Sequence, residues 1–140
     1  MSVEGDLTAY LLAESTVSDY VATRIYERQA PSSAGLPRIV YRVETGAAER
    51  HVGGASRLAQ TRMTLECQAT TPAVARSVAE AVRQVTDGKR GTIGTTDVRS
   101  IAIETWTDGE VKPDDASESL IYVRALALAI WHIVTVPSYA

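Results

Sequence analysis

Apolar and polar positions alternate along this chain in two periods, and the switches between them outline its elements. Val3, Leu7, Tyr10 and Leu11 recur at helical spacing, so the first element is an amphipathic helix. Thr16 followed three residues on by Asp19 resembles a capping box and predicts a short second helical turn carrying Val17, Tyr20 and Val21. Ile25 and Tyr26 suit a short strand, and residues 30–35 have the composition of an exposed turn. Pro37 then opens a strand in which Ile39, Tyr41 and Val43 alternate with Arg38, Arg42 and Glu44. Residues 46–59 read as a glycine-rich loop around Gly53 and Gly54. In the next strand Met63, Leu65, Cys67 and Ala69 face one way, while Arg62, Thr64, Glu66 and Gln68 face the other. Such alternation belongs to a sheet with one covered and one open face.

The period changes at residue 70. Thr71 can cap a helix, Pro72 suits its first position, and Gly88 suits the left-handed position past its end. Between them Val74, Val78, Ala81, Val82 and Val85 form one apolar stripe. Valine is a middling helix former, so packing must hold this helix. Residues 89–97 read as a glycine-punctuated connection, and residues 98–106 as a strand with Ile101 and Ile103 inward. Residues 107–118 read as a polar loop and residues 120–133 as the last long strand, with Leu126, Leu128 and Ile130 on one face. The expected fold is α+β: an antiparallel sheet of four to five strands with two main helices on one face, in a single domain over residues 1–133. Pro137 breaks the segment 134–140, which is expected to leave the domain as a tail.

Composition narrows the functional classes. Fourteen basic and 17 acidic residues in 140 give a net charge of −3, which supplies no reason to expect nonspecific binding to nucleic acid or to an anionic membrane. The start has no basic, then apolar, leader pattern, and the apolar run near residues 125–131 is far shorter than the ~20 residues a spanning helix needs. A reducing cytosol is the expected site of synthesis. A single cysteine, Cys67, excludes an intrachain disulfide and reads as a core residue.

A search for catalytic chemistry yields little. His51 and His132 stand far apart with no paired-ligand spacing, so neither a zinc site nor a catalytic base is expected; His132 reads as a structural imidazole. Gly88, Gly91 and Gly94 follow a helix where a phosphate loop would open one. Asp108, Glu110, Asp114, Asp115 and Glu118 lack the alternate spacing of a calcium loop. Trp106 and Trp131 are not interleaved with basic residues, so core or interface packing is the better reading. No catalytic, metal or cofactor residue is assigned.

Arg24-Ile25-Tyr26, then residues 36–41 (LPRIVY), residues 62–69, and residues 75–83 (ARSVAEAVR) ending at Asp87-Gly88, resemble the tail-completion, or tail-terminator, family of long-tailed bacteriophages. The resemblance runs from the first helix to the final strand. It implies a non-enzymatic virion protein, made in the host cytoplasm, that forms a homo-oligomeric ring, a hexamer. Such a ring sits on the finished tail tube, stops its polymerisation, and joins it to the head-tail connector or neck. The tail tube protein and the connector are the implied partners. A ring subunit needs two complementary lateral surfaces and a different surface at each end. The loop residues expected to make such contacts are Arg50, His51 and Arg57, then Lys89 and Arg90, then Asp114 and Asp115. Two other readings stand beside this one: another neck subunit, or a small-ligand-binding α+β domain, which would need a concave pocket with convergent polar groups.

Overall fold

A computed structural model describes residues 3–31, 35–51, 54–111 and 120–133; for residues 45–51, 54–57 and 111 only the backbone is described. Three helices and six strands run in the order α1 (Val3–Ala13), α2 (Ser15–Val21), β1 (Ile25–Glu27), β2 (Arg38–His51), β3 (Gly54–Ala69), α3 (Pro72–Thr86), β4 (Gly91–Ile93), β5 (Thr96–Val111) and β6 (Ile121–Ile133). The strands form one sheet in the order β1-β2-β3-β6-β5-β4. β1 lies parallel to β2, and every other neighbouring pair is antiparallel.

This corrects the expected fold. The sheet has six strands and is mixed, where four to five antiparallel strands were expected, and three helices replace two. Ile25 to Glu27 run alongside Ile39 to Tyr41 in the same direction, which makes this pair parallel. The expected loop at residues 46–59 is instead a continuation of β2 and β3, paired down to His51 opposite Gly54. Core-facing alternation fades there, so the sequence pattern loses its period while the backbone ladder continues. Likewise β5 runs on to Val111 through polar residues, and the glycine-punctuated connection holds the three-residue strand β4. Thr16 does not cap α2: that helix starts at Ser15, behind Glu14, without a side-chain cap bond.

The elements read from strong periodicity stand. In α3 the Thr71 hydroxyl accepts a bond from the Val74 N–H, Pro72 takes the first turn, and Gly88 adopts φ 80° just past the end. Val78, Ala81 and Val82 are buried, and Val74 and Val85 pack at the margin. Burying each valine contributes roughly 1.5–3 kcal/mol. The helices cover one sheet face, where Ile39, Met63, Leu65, Cys67, Ile101, Leu126, Leu128 and Ile130 meet Leu7, Leu11, Val17 and Val21. Burial pushes the Cys67 thiol up to about 12, which leaves it a protonated, inert core residue.

Polar contacts tie α1 into this core at both ends. The Tyr10 hydroxyl donates to the Val85 carbonyl of α3 at 2.7 Å. The Asp6 carboxylate accepts bonds from the Thr95 N–H (3.2 Å), the Thr95 hydroxyl (3.1 Å) and the Thr96 hydroxyl (2.5 Å) in the β4–β5 turn. His132, expected to be a structural imidazole, is buried with its Nε2 2.9 Å from the Thr61 hydroxyl. Desolvation holds its pKa below the ordinary 6.5. Unfolding releases that constraint, so the unfolded chain binds the extra proton, and stability present above pH 6.5 declines as the pH falls toward the folded value. Thermal melts between pH 7.5 and 5 should therefore show a drop that is smaller in His132→Asn.

Candidate functional site

Among the described residues, chemistry-bearing side chains do not converge on one site. Among the described residues no group of three or more His, Cys, Asp or Glu side chains could hold a metal. An open groove of about 220 Å³ lies between the start of α3 and the β5–β6 end, lined by Pro72, Ala75, Arg76, Asp108, Gly109 and Tyr122. Ligand pockets usually run to roughly 300–1,000 Å³ and enclose their ligand. The Asp108 carboxylate in that wall is already engaged by the Arg124 guanidinium at 2.7 and 2.8 Å, which holds it below the usual carboxylate range.

The informative features lie on the exterior. The sheet face away from the helices carries the alanines Ala125, Ala127 and Ala129 of β6, opposite Glu66, Thr64 and Arg62 of β3. Cross-strand ion pairs flank this strip: Arg42 with Glu66 at 3.1 Å, and Arg62 with Glu104. Arg38 donates to Gln68 at 2.6 Å on the same face. Exposed pairs of this kind contribute only about 0–1 kcal/mol each, so they add little to folding and much to the chemical character of the surface. On the helix side Trp106 is 58% exposed, which sets aside core packing and leaves the interface alternative.

The expected contact residues fall into three places. Arg50 and His51 lie in β2 and Arg57 lies in β3, at the far end of the β2–β3 hairpin, where Arg50 pairs with Ala55. Lys89 and Arg90 follow α3; the Lys89 ammonium sits 5.3 Å from the Tyr10 ring centre, while Arg90 is exposed. A cation over an aromatic face contributes roughly 0.5–1 kcal/mol at an exposed site, so Lys89 also helps to hold α1. Asp114 and Asp115 lie outside the described residues. The strands that they connect, β5 and β6, meet with Val111 opposite Ile121, at the other end of the sheet from the β2–β3 hairpin. The described ones thus lie in two separate elements, the β2–β3 hairpin and the connection after α3. Sequence reasoning left Trp106 between core and interface, and it missed the paired arginines. The latter had a signal, since Arg42, Glu66, Arg62 and Glu104 all fall on the polar phase of their strands.

The fold is thus a small α+β domain, one mixed six-stranded sheet with helices on one face and cross-strand ion pairs on the other. The chain belongs to the family of the tail completion protein gp17, which it matches over residues 5–127. It is accordingly a structural protein of phage-type tails. Among solved structures it is similar to a chain in the virion of a native gene transfer agent particle. That likeness has a TM-score of 0.63 at 14% identity and covers 94% of this chain and 95% of the other. At that identity it speaks for the fold. No curated protein matches the sequence.

Proposed function

We propose that this protein is a tail terminator. It forms a homo-oligomeric ring, six-membered in the family's manner, that caps the tail tube, stops tube polymerisation and offers the surface to which the head-tail connector binds. It catalyses nothing and acts in the virion after assembly in the host cytoplasm. The observation that carries this reading is the family match over residues 5–127. The neighbour's place in a virion supports it.

The decisive experiment adds purified protein to polymerising tail tube protein and measures tube lengths by negative-stain microscopy. A terminator narrows the length distribution and leaves a ring at one end. A neck subunit leaves the distribution unchanged, and that result would refute the assignment. Charge reversal at Arg50 and Arg57 should weaken attachment about tenfold or more while leaving the melting temperature within a few degrees, because truncating or reversing charged contacts at an interface acts mainly on binding. Normal tube capping by Arg50→Glu with Arg57→Glu would remove the hairpin end from the contact surface.

A further inference from the structure

The two outermost long strands of the sheet are each covered over only part of their length. β1 protects β2 at Ile39–Tyr41, where the Ile39 N–H donates to the Arg24 carbonyl and the Tyr41 carbonyl accepts from the Arg28 N–H. β4 protects β5 at Thr96–Val98, and the end of α3 covers the next turn of the edge, where the Gly88 N–H bonds the Ile101 carbonyl and the Ile103 N–H bonds Asp87. Among the described residues nothing pairs with the outer edge of residues 44–51 in β2 or residues 104–111 in β5. Both stretches are eight residues long and begin at a register irregularity, Val43/Thr45 in one and Ile103/Thr105 in the other; the β2 stretch holds a second one at Ala48/Arg50, so its regular run is Thr45–Ala48. Neither contains the proline or lysine with which exposed edges are commonly blunted.

The register states which main-chain groups these edges offer. In an antiparallel sheet, residues alternate between bonding inward and bonding outward. Ile39 and Tyr41 bond outward on β2; carrying the alternation past the extra residue makes Val43, Gly46 and Ala48 outward. Ile101 and Ile103 bond outward on β5; past its extra residue the outward set is Trp106, Asp108 and Glu110. The rows across the sheet agree: Tyr41, Leu65, Leu126 and Trp106 form one row, and Gly46, Thr61, Ile130 and Ile101 another. Both outward sets therefore lie on the helix-side face.

We infer that the open edge of β5 in one copy pairs antiparallel with the open edge of β2 in the next, making one sheet continuous across neighbouring subunits. This rests on the ring reading above and specifies its lateral contact. β2 and β5 run in opposite directions within the sheet, but their open stretches lie at opposite ends of it. Copies in the same orientation therefore bring them together antiparallel once each is offset along the strands by about six residues, the step from the Leu126 row to the His132 row, an offset that a closed ring absorbs by tilting its strands. The faces match, so helices stay on one side throughout. Placing Trp106 opposite Ala48 and Asp108 opposite Gly46 lays the exposed indole over the Gly46-Ala47-Ala48 run, which is the smallest-residue stretch of β2. The pairing is heterologous, as a closed ring requires.

Proline removes an outward N–H without touching the inner ladder, so Ala48→Pro and Glu110→Pro each test one edge. Sedimentation of wild type should give a multiple of the 15.1 kDa chain mass, and each proline variant should fall to the single-chain mass with unchanged circular dichroism. Ala47 and Thr107 would be directly opposite as a non-hydrogen-bonded pair, the closer kind, so a mixture of Ala47→Cys and Thr107→Cys proteins should form an interchain disulfide under mild oxidation. Cys67 is buried and does not compete. The same cross-link is read on capped tubes if wild type assembles only there. A disulfide in Thr107→Cys alone means a two-fold β5–β5 pair and overturns the inference. So does a multimer that survives both prolines and forms no cross-link, which leaves a ring built through other surfaces. A wild type that stays at single-chain mass and fixes no tube length removes the ring reading itself.

Discussion

Asp6→Ala is expected to lower stability by about 2–3 kcal/mol, because three donors in the β4–β5 turn lose the carboxylate that they share. Asp6 is 1% exposed, so water replaces the acceptor poorly. These hydrogen bonds, led by that from Thr96, hold the Asp6 pKa below its ordinary 3.8 despite the opposing effect of burial. A depressed carboxylate contributes stability that is present above the unfolded value and is lost as the pH falls through the folded one. The gap between wild type and Asp6→Ala in urea melts should therefore be full at pH 7 and should close below about pH 3.8. Gly94 tests the same contact from the other side. It adopts φ 60°, and a β-carbon placed there would lie 2.4 Å from Asp6 Oδ1. Gly94→Ala should cost about 2 kcal/mol, from the left-handed backbone and from the displaced carboxylate. The double variant should cost less than the two single losses together, since removing the carboxylate opens the space that the new methyl needs. Strict additivity in that cycle would show that the two residues do not share one contact.

Val78→Asp is expected to have the larger effect and to abolish folding or cost about 4 kcal/mol or more. Val78 is 0% exposed at the centre of the α3 stripe, in the same apolar cluster as Leu65 and Leu126. An unpaired carboxylate there must either stay charged without water or take up a proton, and both are costly. Ser77→Asp is the control: Ser77 is exposed, one position away on the same helix, and acid near a helix start is mildly favourable. Circular dichroism and melting temperature distinguish the pair, and a folded, cooperative Val78→Asp protein would mean that α3 does not pack as described.

What the sequence revealed depended on whether a residue's surroundings repeat with a fixed period. The α3 stripe, its Thr71 cap and its Gly88 stop were legible because helix ends impose local chemistry that survives any tertiary context. Met63 to Ala69 were legible because one side of β3 is covered and the other open. Residues 46–51 and 54–59 were not, since small and polar side chains there carry no alternation and a ladder of backbone bonds leaves no mark on composition. The polarity of β1 was hidden for a similar reason: three residues cannot state their direction. The Asp6 contact spans 89 and 90 residues of chain, a separation at which one sequence offers no pairing signal. Of the residues expected to make assembly contacts, Arg90 is exposed and Lys89 is half-buried beside Tyr10, a contact with α1 that its sequence neighbours do not signal. The separation of the hairpin end from the β5–β6 end became visible only with the strand order.

The place of β6 has a consequence for how the protein is born. It comes after every other strand, yet it lies between β3 and β5 in the middle of the sheet. A ribosome adds about 5–20 residues per second, so for several seconds the nascent chain holds two half-sheets with nothing to join them. Leu126, Leu128 and Ile130, the residues that bridge the halves, emerge only after both of them. Only a polypeptide translated through β6 can close its interior, and prematurely released fragments would lack the keystone strand and remain prey for host proteases.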